Sequence, residues 1–414
     1  MSSARVRIFT LGCKVNQCDS DEIARALAAR GYEIGGRGDP AEIYIVNTCT
    51  VTAVADAKAR KLIRRIARGH REATLIVTGC TAQRDPYSLL DLPGVTAVVP
   101  NTRKAQLADF LPGLVAPLFP TAYVPSRTRS FLKIQDGCDH RCAYCAVPDA
   151  RGRPVSRARR DVLGEVERLA EAGVQELVLC GIRLGAYGAD RGERALAALL
   201  HDLRGARIPR LRLSSIEPMD VSDDLLAEIA DHPTLCHHLH LPVQAGDDEV
   251  LRGMGRGYTT ADFADLLRRV RDVWPDAAIT TDVMVGFPGE TDEQFDRGLS
   301  FVREMAFSRV HVFPYSRRPG TPAAERRDQV PVPAKRDRAR RMLALADSLA
   351  TSAAKAWVGR QVSVLWEERG ADGLLVGHTP HYIRVRAPGP AEWVGHIVEV
   401  RARRTEGGEL HAAL

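Results

Sequence analysis

Three cysteines fall within one short run, Gln135-Asp136-Gly137-Cys138-Asp139-His140-Arg141-Cys142-Ala143-Tyr144-Cys145. The spacing, C-x3-C-x2-C, puts three thiols into a single loop. Three thiolates so placed can hold three corners of a cubane iron–sulfur cluster and leave the fourth iron without a protein ligand. An open iron can bind and cleave a small molecule, whereas a fully thiolate-ligated cluster is suited to electron transfer. The competing chemistry is structural zinc, which normally takes a fourth Cys or His from a second paired unit. None follows nearby, although His140 lies inside the loop.

The chain has 414 residues, enough for two or three cores, and its 45% hydrophobic and 27% charged content is ordinary for globular protein. No apolar run approaches the roughly 18–20 residues of a membrane span. The start, Met1-Ser2-Ser3-Ala4-Arg5, lacks the apolar core of a secretory signal. Nine cysteines in chemically sensible groups argue against a disulfide framework, and reduced thiols point to the cytoplasm. The net charge of +6 is almost all arginine, since only seven of the 58 basic residues are lysine. Guanidinium forks suit phosphate contacts, as in RNA, though a GC-rich genome would also enrich arginine.

Residues 5–10 read as a strand and 19–30 as an amphipathic helix capped by Asp19 or Ser20. A buried strand at 43–46, a basic helix at 52–68 and a third strand at 74–78 follow, with the rhythm continuing to Val99. Such alternation predicts a parallel sheet with helices on its faces. Cys13, Cys49 and Cys80 each follow one of the first three strands. In an open parallel sheet the loops after the strands gather at one edge, where ligands bind. A second three-cysteine cluster site follows; the alternative is three buried thiols at strand ends.

The proline-rich stretch 112–125 reads as a linker. Beyond it, strands are expected at 131–134, 176–179, 210–214, 237–241, 278–285 and 309–313. Helices are expected at 161–172, 195–203, 222–230, 260–273 and 292–305. Six strand–helix units predict a partial (β/α)6 barrel, with the cysteine loop at the carboxyl end of its first strand. After Trp357, runs at 361–367, 374–378, 383–386 and 395–402 predict a small β-barrel of about five strands. It has basic edges and an exposed-looking Tyr382, as in barrels that bind oligonucleotides. It could equally serve only to close the active site. Arg60, Arg64, Arg65 and Arg68 on the second helix, and the basic run 335–341, are candidate phosphate contacts or solvated faces. Cys236, His237, His238 and His240 invite a metal reading, but strand alternation puts His237 on the opposite face from His238 and His240.

Taken together the chain resembles the radical S-adenosylmethionine (SAM) methylthiotransferases over nearly its whole length. Three blocks carry the likeness: Leu11-Gly12-Cys13 to Gln17, Asn47-Thr48-Cys49-Thr50-Val51-Thr52, and Asp136 through Arg151-Gly152-Arg153-Pro154-Val155-Ser156-Arg157. The resemblance implies a flavodoxin-like N-terminal parallel sheet domain (1–115) with an auxiliary cluster. It also implies a radical SAM barrel (126–350) and a small TRAM-like RNA-binding β-barrel (356–414). It implies a transferase with two 4Fe-4S clusters and SAM, held by Cys138, Cys142 and Cys145 and by Cys13, Cys49 and Cys80. Such an enzyme takes one SAM as methyl donor and one as radical source. Lys14-Val15-Asn16-Gln17 and Thr50-Val51-Thr52 resemble the branch acting at carbon 2 of N6-threonylcarbamoyladenosine beside the tRNA anticodon.

Within the same resemblance, Gly181, Ser215, Glu217, Gln244 and Asp282 are candidates for SAM contact at the carboxyl ends of the barrel strands. Each could instead serve as a cap or turn. Arg151, Arg153 and Arg157, just past the cysteine loop, are the candidates to hold the target RNA. The implied partners are the tRNA anticodon stem-loop and an electron donor such as flavodoxin or ferredoxin, with neither membrane nor DNA. Alternatives that stay open are isopentenyladenosine in tRNA, an aspartate of a ribosomal protein, and a non-catalytic iron–sulfur or zinc RNA-binding protein.

Overall fold

The computed structural model describes residues 4–36, 38–50, 52–111 and 128–413. The expected linker 112–125 lies outside the described residues. The chain forms two compact units: the N-terminal residues with 136–153 and 316–321, and the remainder of the chain from about Arg127 to its C-terminal region.

In the first unit, β1 (Arg5–Thr10), β2 (Glu33–Ile34), β3 (Ile43–Thr48), β4 (Thr74–Gly79) and β5 (Ala97–Pro100) form one sheet. Every pair is parallel and the order is β2-β1-β3-β4-β5, the flavodoxin-like arrangement expected from the sequence. Strand β3 is buried along its whole length because both faces are covered. Ile43 and Ile45 enter one core with Ile23 and Leu27, while Tyr44 and Val46 enter the other with Ile63 and Val77. The helix after β1 runs Lys14–Ala28, starting well before the expected position, with Cys13 at its cap. Asp19 and Ser20, which look like a cap, are buried inside it. The Ser20 hydroxyl accepts from Thr10 Oγ1 at 2.7 Å and from Asn47 Nδ2 at 3.0 Å. The next helix, Ala53–Gly69, starts where Thr52 Oγ1 accepts from the Ala55 amide at 3.1 Å.

The second unit begins with β6 (Arg129–Lys133); two-residue strands β7 (Gln135–Asp136) and β8 (Val155–Ser156) flank the cysteine loop in sequence. β9 (Glu176–Cys180), β10 (Arg210–Leu213), β11 (His238–His240), β12 (Ala278–Val285) and β13 (Arg309–Pro314) follow. β6, β9 and β10 pair in parallel, as do β11, β12 and β13. Parallel bridges Leu211↔Leu235 and Ser215↔His240 join the two sets. The result is the six-stranded partial barrel the alternation predicts. Its helices lie at Arg159–Glu171, Leu196–Leu203, Asp223–Ala230, Thr260–Val273 and Asp292–Glu304. Reciprocal capping boxes start the last two, at Thr259 with Asp262 and Thr291 with Gln294.

The C-terminal strands β14 (Gln361–Arg369), β15 (Leu375–His378), β16 (Arg384–Ala387), β17 (Ile397–Glu406) and β18 (Glu409–Ala413) close a barrel in the order β14-β15-β16-β18-β17. Trp366 is fully buried in its core. The barrel seats on β9 and β10 through buried charge. Glu176, the first residue of β9, accepts from Arg212 Nε at 2.7 Å and Nη2 at 3.2 Å. Arg212 also donates to Pro380 O at 2.9 Å and Thr379 O at 3.2 Å, and Arg210 donates to His378 O at 3.1 Å. Burial pushes the Glu176 carboxyl up, but Arg212, Arg129 and Arg210 outweigh it and hold the group below its ordinary 4.5.

Tyr382 is not the exposed platform its sequence position suggests. Its ring stacks on His378 at 4.9 Å, with the Arg212 and Arg129 guanidinium carbons 4.9 Å and 5.3 Å from its centroid. The run 335–341 is divided: Arg336, Arg340 and Arg341 are exposed, but Arg338 is not. In the helix Val332–Lys355, Arg338 is buried against Glu290 and Asp292 at 2.7 Å each, and Arg341 pairs with Asp296 at 2.6 Å. Arg60 is likewise turned inward, donating to Ser88 Oγ at 2.7 Å, whereas Arg64, Arg65 and Arg68 are exposed.

Removing one partner of a buried pair strands the other charge, at a cost of about 3–5 kcal/mol. Arg212→Met is therefore expected to destabilise the second unit by about that amount. All four tryptophans, Trp274, Trp357, Trp366 and Trp393, lie in this unit, so denaturation followed by tryptophan fluorescence reads it alone. Because the Glu176 carboxyl is depressed on folding, its contribution is full above its ordinary value of 4.5 and is lost as pH falls through the lower folded value. The gap between wild type and variant should narrow in that acid range; a gap independent of pH would refute the assignment.

Candidate metal centres

The register of the first sheet sets the first triad. Thr10 pairs with Asn47 and Thr48 with Gly79, so β1, β3 and β4 end at one edge. Cys13 then caps the helix Lys14–Ala28, Cys49 directly follows β3, and Cys80 opens the short helix Cys80–Arg84. Two of the three thiols converge on one side chain: Cys13 Sγ is 3.8 Å and Cys80 Sγ 3.9 Å from Asn16 Oδ1. Asn16 is fully buried, and its orientation is fixed because Nδ2 donates to Leu11 O at 2.8 Å and Thr48 O at 2.9 Å. Gly12 adopts φ +117°, and a Cβ there would lie 2.7 Å from Cys49 Cβ and 3.0 Å from its Sγ. The cradle can be built only with glycine at that position. Three soft sulfur donors grouped around an amide fit an iron–sulfur cluster.

Arg318 and Thr81 tie the Cys49 loop. The buried Arg318 guanidinium binds Thr50 O and Oγ1 and pairs with Asp56 at 2.8 Å; Thr81 Oγ1 donates to Cys49 O at 3.1 Å. No local pattern marks Arg318, which lies 268 positions beyond Thr50. Asn16 was legible only as a letter of the first cysteine block.

Cys138, Cys142 and Cys145 belong to the same unit. His140 N points to Cys138 Sγ and Val147 N to Cys145 Sγ, each at 3.4 Å. Amide donors aimed at sulfur stabilise thiolate charge and suit cluster ligation. The loop folds back so that Cys138 N donates to Gly152 O at 3.0 Å. Gly137 takes φ +74° beneath this crossing, where a Cβ would sit 2.0 Å from Arg153 O.

The three arginines read as RNA contacts separate. Arg153 is exposed and Arg157 half-buried, but the Arg151 side chain is only 1% exposed. Its guanidinium binds Asn16, Asp19 and Asp136 instead. Burial opposes the charge, yet Cys80, Asp19, Asp136 and Cys13 together raise its pKa above the ordinary arginine value. Arg151 therefore serves the interior.

The remaining candidates occupy the second unit. Gly181 follows β9, but a Cβ there would meet Leu184 Cα at 2.8 Å and Gln135 Oε1 at 3.0 Å, so internal packing already explains the glycine. Ser215 bridges to His240 after β10, and Glu217 pairs with the buried Arg256. Gln244 holds φ +68° while its amide donates to Asp282 O at 2.9 Å, a strained position of the kind found around ligand sites. Asp282 lies within β12 with its carboxylate 3.4 Å from His240 Nε2. Cys236 is buried, and burial pushes its thiol up to about 12. His238 and His240 both turn to Thr280 Oγ1, whereas His237 turns to Asp276, as alternation predicts.

Known proteins with related sequences align along nearly the whole chain. Residues 5–100 match the family described as "Uncharacterized protein family UPF0004", and residues 132–302 match the radical SAM superfamily. The threonylcarbamoyladenosine tRNA methylthiotransferase MtaB of Bacillus subtilis is 37% identical over 96% of this chain and 93% of its own length. The tRNA-2-methylthio-N(6)-dimethylallyladenosine synthase of a Jannaschia species is 35% identical over 98% and 93%. Among solved structures, the radical SAM methyltransferase TsrM from Kitasatospora setae superposes with a TM-score of 0.58 at 17% identity, covering 78% of this chain and 77% of that one. At that identity it speaks for the fold alone. No helix among the described residues is long and apolar enough to cross a membrane.

Gly137→Ala places a methyl group against the backbone that closes the loop. After anaerobic reconstitution the variant is expected to retain about half of the wild-type iron and acid-labile sulfide. Full retention would show that the crossing at Gly152 and Arg153 does not shape the site.

Proposed function

The chain belongs to the tRNA methylthiotransferases of the radical SAM superfamily, and from that premise we propose that it inserts a methylthio group at carbon 2 of N6-threonylcarbamoyladenosine in the tRNA anticodon stem-loop. The observation that carries this reading is the pair of cysteine triads in one compact unit. Bound there, an open-iron cluster with SAM supplies the radical that can break a strong aromatic C–H bond, and a second cluster supplies the sulfur.

The chain's own residues divide the work. Cys138, Cys142 and Cys145 hold the radical-generating cluster, with the His140 and Val147 amides stabilising their charge. Cys13, Cys49 and Cys80 hold the auxiliary cluster around Asn16. Ser215, Glu217 and Gln244 orient SAM from beyond the strand ends and Asp282 from within β12, and Gly181 keeps the turn after β9 tight. Exposed Arg153, with Arg64, Arg65 and Arg68, gives the backbone phosphates a cationic path. A cytoplasmic flavodoxin or ferredoxin supplies the electron.

The branch rests on Lys14-Val15-Asn16-Gln17 and Thr50-Val51-Thr52. Val15, Asn16 and Thr50 are buried around the first triad, so these letters shape the sulfur-donor site rather than a surface. The isopentenyladenosine reading keeps its place through the relatives of that specificity.

Two measurements test the proposal. Wild type is expected to bind about eight irons per chain, and each triple Cys→Ala variant about four. Incubated with SAM, a reductant and a tRNA mixture in which some species carry threonylcarbamoyladenosine and others isopentenyladenosine, wild type should yield the methylthio product of threonylcarbamoyladenosine. Product on isopentenyladenosine alone would reassign the branch, and four irons in wild type would remove the sulfur-donor site.

A further inference from the structure

Arg151 stands where the two cysteine loops meet, at the end of the helix Val147–Arg151 that follows Cys145. Its Nη2 donates to Asn16 Oδ1 at 2.5 Å and Asp19 Oδ2 at 2.9 Å; Nη1 spans both oxygens of Asp136 at 2.9 Å and 3.1 Å. The atom it holds on Asn16 is the oxygen on which the Cys13 and Cys80 thiols converge. Asn101 braces the same contact from another side, donating to Ala150 O at 2.9 Å with Cys80 Sγ at 3.7 Å. Lys104 completes the charge set, with Nζ 2.8 Å from Asp19 and 3.4 Å from Asp136.

The electrostatics single out Arg151. Arg151 and Lys104 both face Asp19 and Asp136, and Arg151 also reaches the Asn16 oxygen on which the Cys13 and Cys80 thiols converge. Asp19 and the Arg151 side chain are each 1% exposed, where water screens little. A planar fork can serve Asn16, Asp19 and Asp136 at once; an ammonium offers a charge without that geometry. A fixed cation beside an iron–sulfur site favours its more negative, reduced state.

We infer that Arg151 is a positioning residue of the auxiliary site: it locks Asn16 against the Cys13 and Cys80 sulfurs and raises the reduction potential of the cluster they hold. This rests on the two-cluster reading above. Sequence position alone suggested an RNA contact, and burial removes Arg151 from that role.

The test uses full-length protein carrying Cys138→Ala, Cys142→Ala and Cys145→Ala, so that only the auxiliary cluster remains, with its potential read by EPR-monitored redox titration. Arg151→Met is expected to keep about four irons and titrate at a lower potential, and Arg151→Lys to recover part of the shift. Asp19→Asn, which removes a negative charge from the same network, is expected to move the potential upward, and it tests the inference even where Arg151→Met loses iron. Opposite shifts from the two substitutions are the signature that a packing role would not produce. An unmoved potential, or shifts of the same sign, overturns the inference while leaving the clusters in place. A parent protein that binds no iron overturns the two-cluster reading and this inference together.

Discussion

Parallel pairing of β1, β3 and β4 is the constraint on which the rest depends. Parallel strands run in one direction, so each chain reversal at their carboxyl ends must occur at the same edge. Registers of Thr10 with Asn47 and Thr48 with Gly79 bring three reversals into one layer, and each carries a cysteine. The hydrophobic faces of the sheet, through Ile45 and Val46, fix the register, and the register fixes the thiols.

Buried arginine is the second organising device. Arg151, Arg318 and Arg212 each reach across long sequence separations to backbone oxygens or carboxylates. Burying a guanidinium is unfavourable unless nearly all its donors are met, so each site tolerates only one arrangement of its partners. The apolar cores supply cohesion, and these residues supply definition. Such a division suits a protein whose reactive centres must hold loops, rather than regular elements, in place.

Strands and helices were largely legible because their periodicity is local. The helix Thr260–Val273 and the strands Arg5–Thr10 and Ala278–Val285 fall where the sequence puts them. The first helix was misplaced because Asp19 and Ser20 imitate a cap while their partners, Arg151 and Asn47, are distant in sequence. The last strand, Glu409–Ala413, escaped notice because it is short and follows Gly407 and Gly408. Cysteine spacing marked one triad, and position after successive strands marked the other. Charge did not reveal direction: Arg151, Arg338 and Tyr382 have the composition of a nucleic-acid surface and face inward. Whether a basic residue meets solvent or a carboxylate is decided by tertiary pairing.

The seating of the small barrel on Glu176, Arg210 and Arg212 has an evolutionary consequence. Glu176 and Arg210 stand at the amino-terminal ends of β9 and β10, whereas Gly181, Ser215 and Glu217 follow the carboxyl ends of the same strands. Each strand is thus a short rod with an anchoring end and a chemical end. Loops at the chemical end can lengthen, shorten or change their side chains while the anchored module stays where it is. Divergence in what the reactive rim accepts is thereby separated from divergence in how the module is carried.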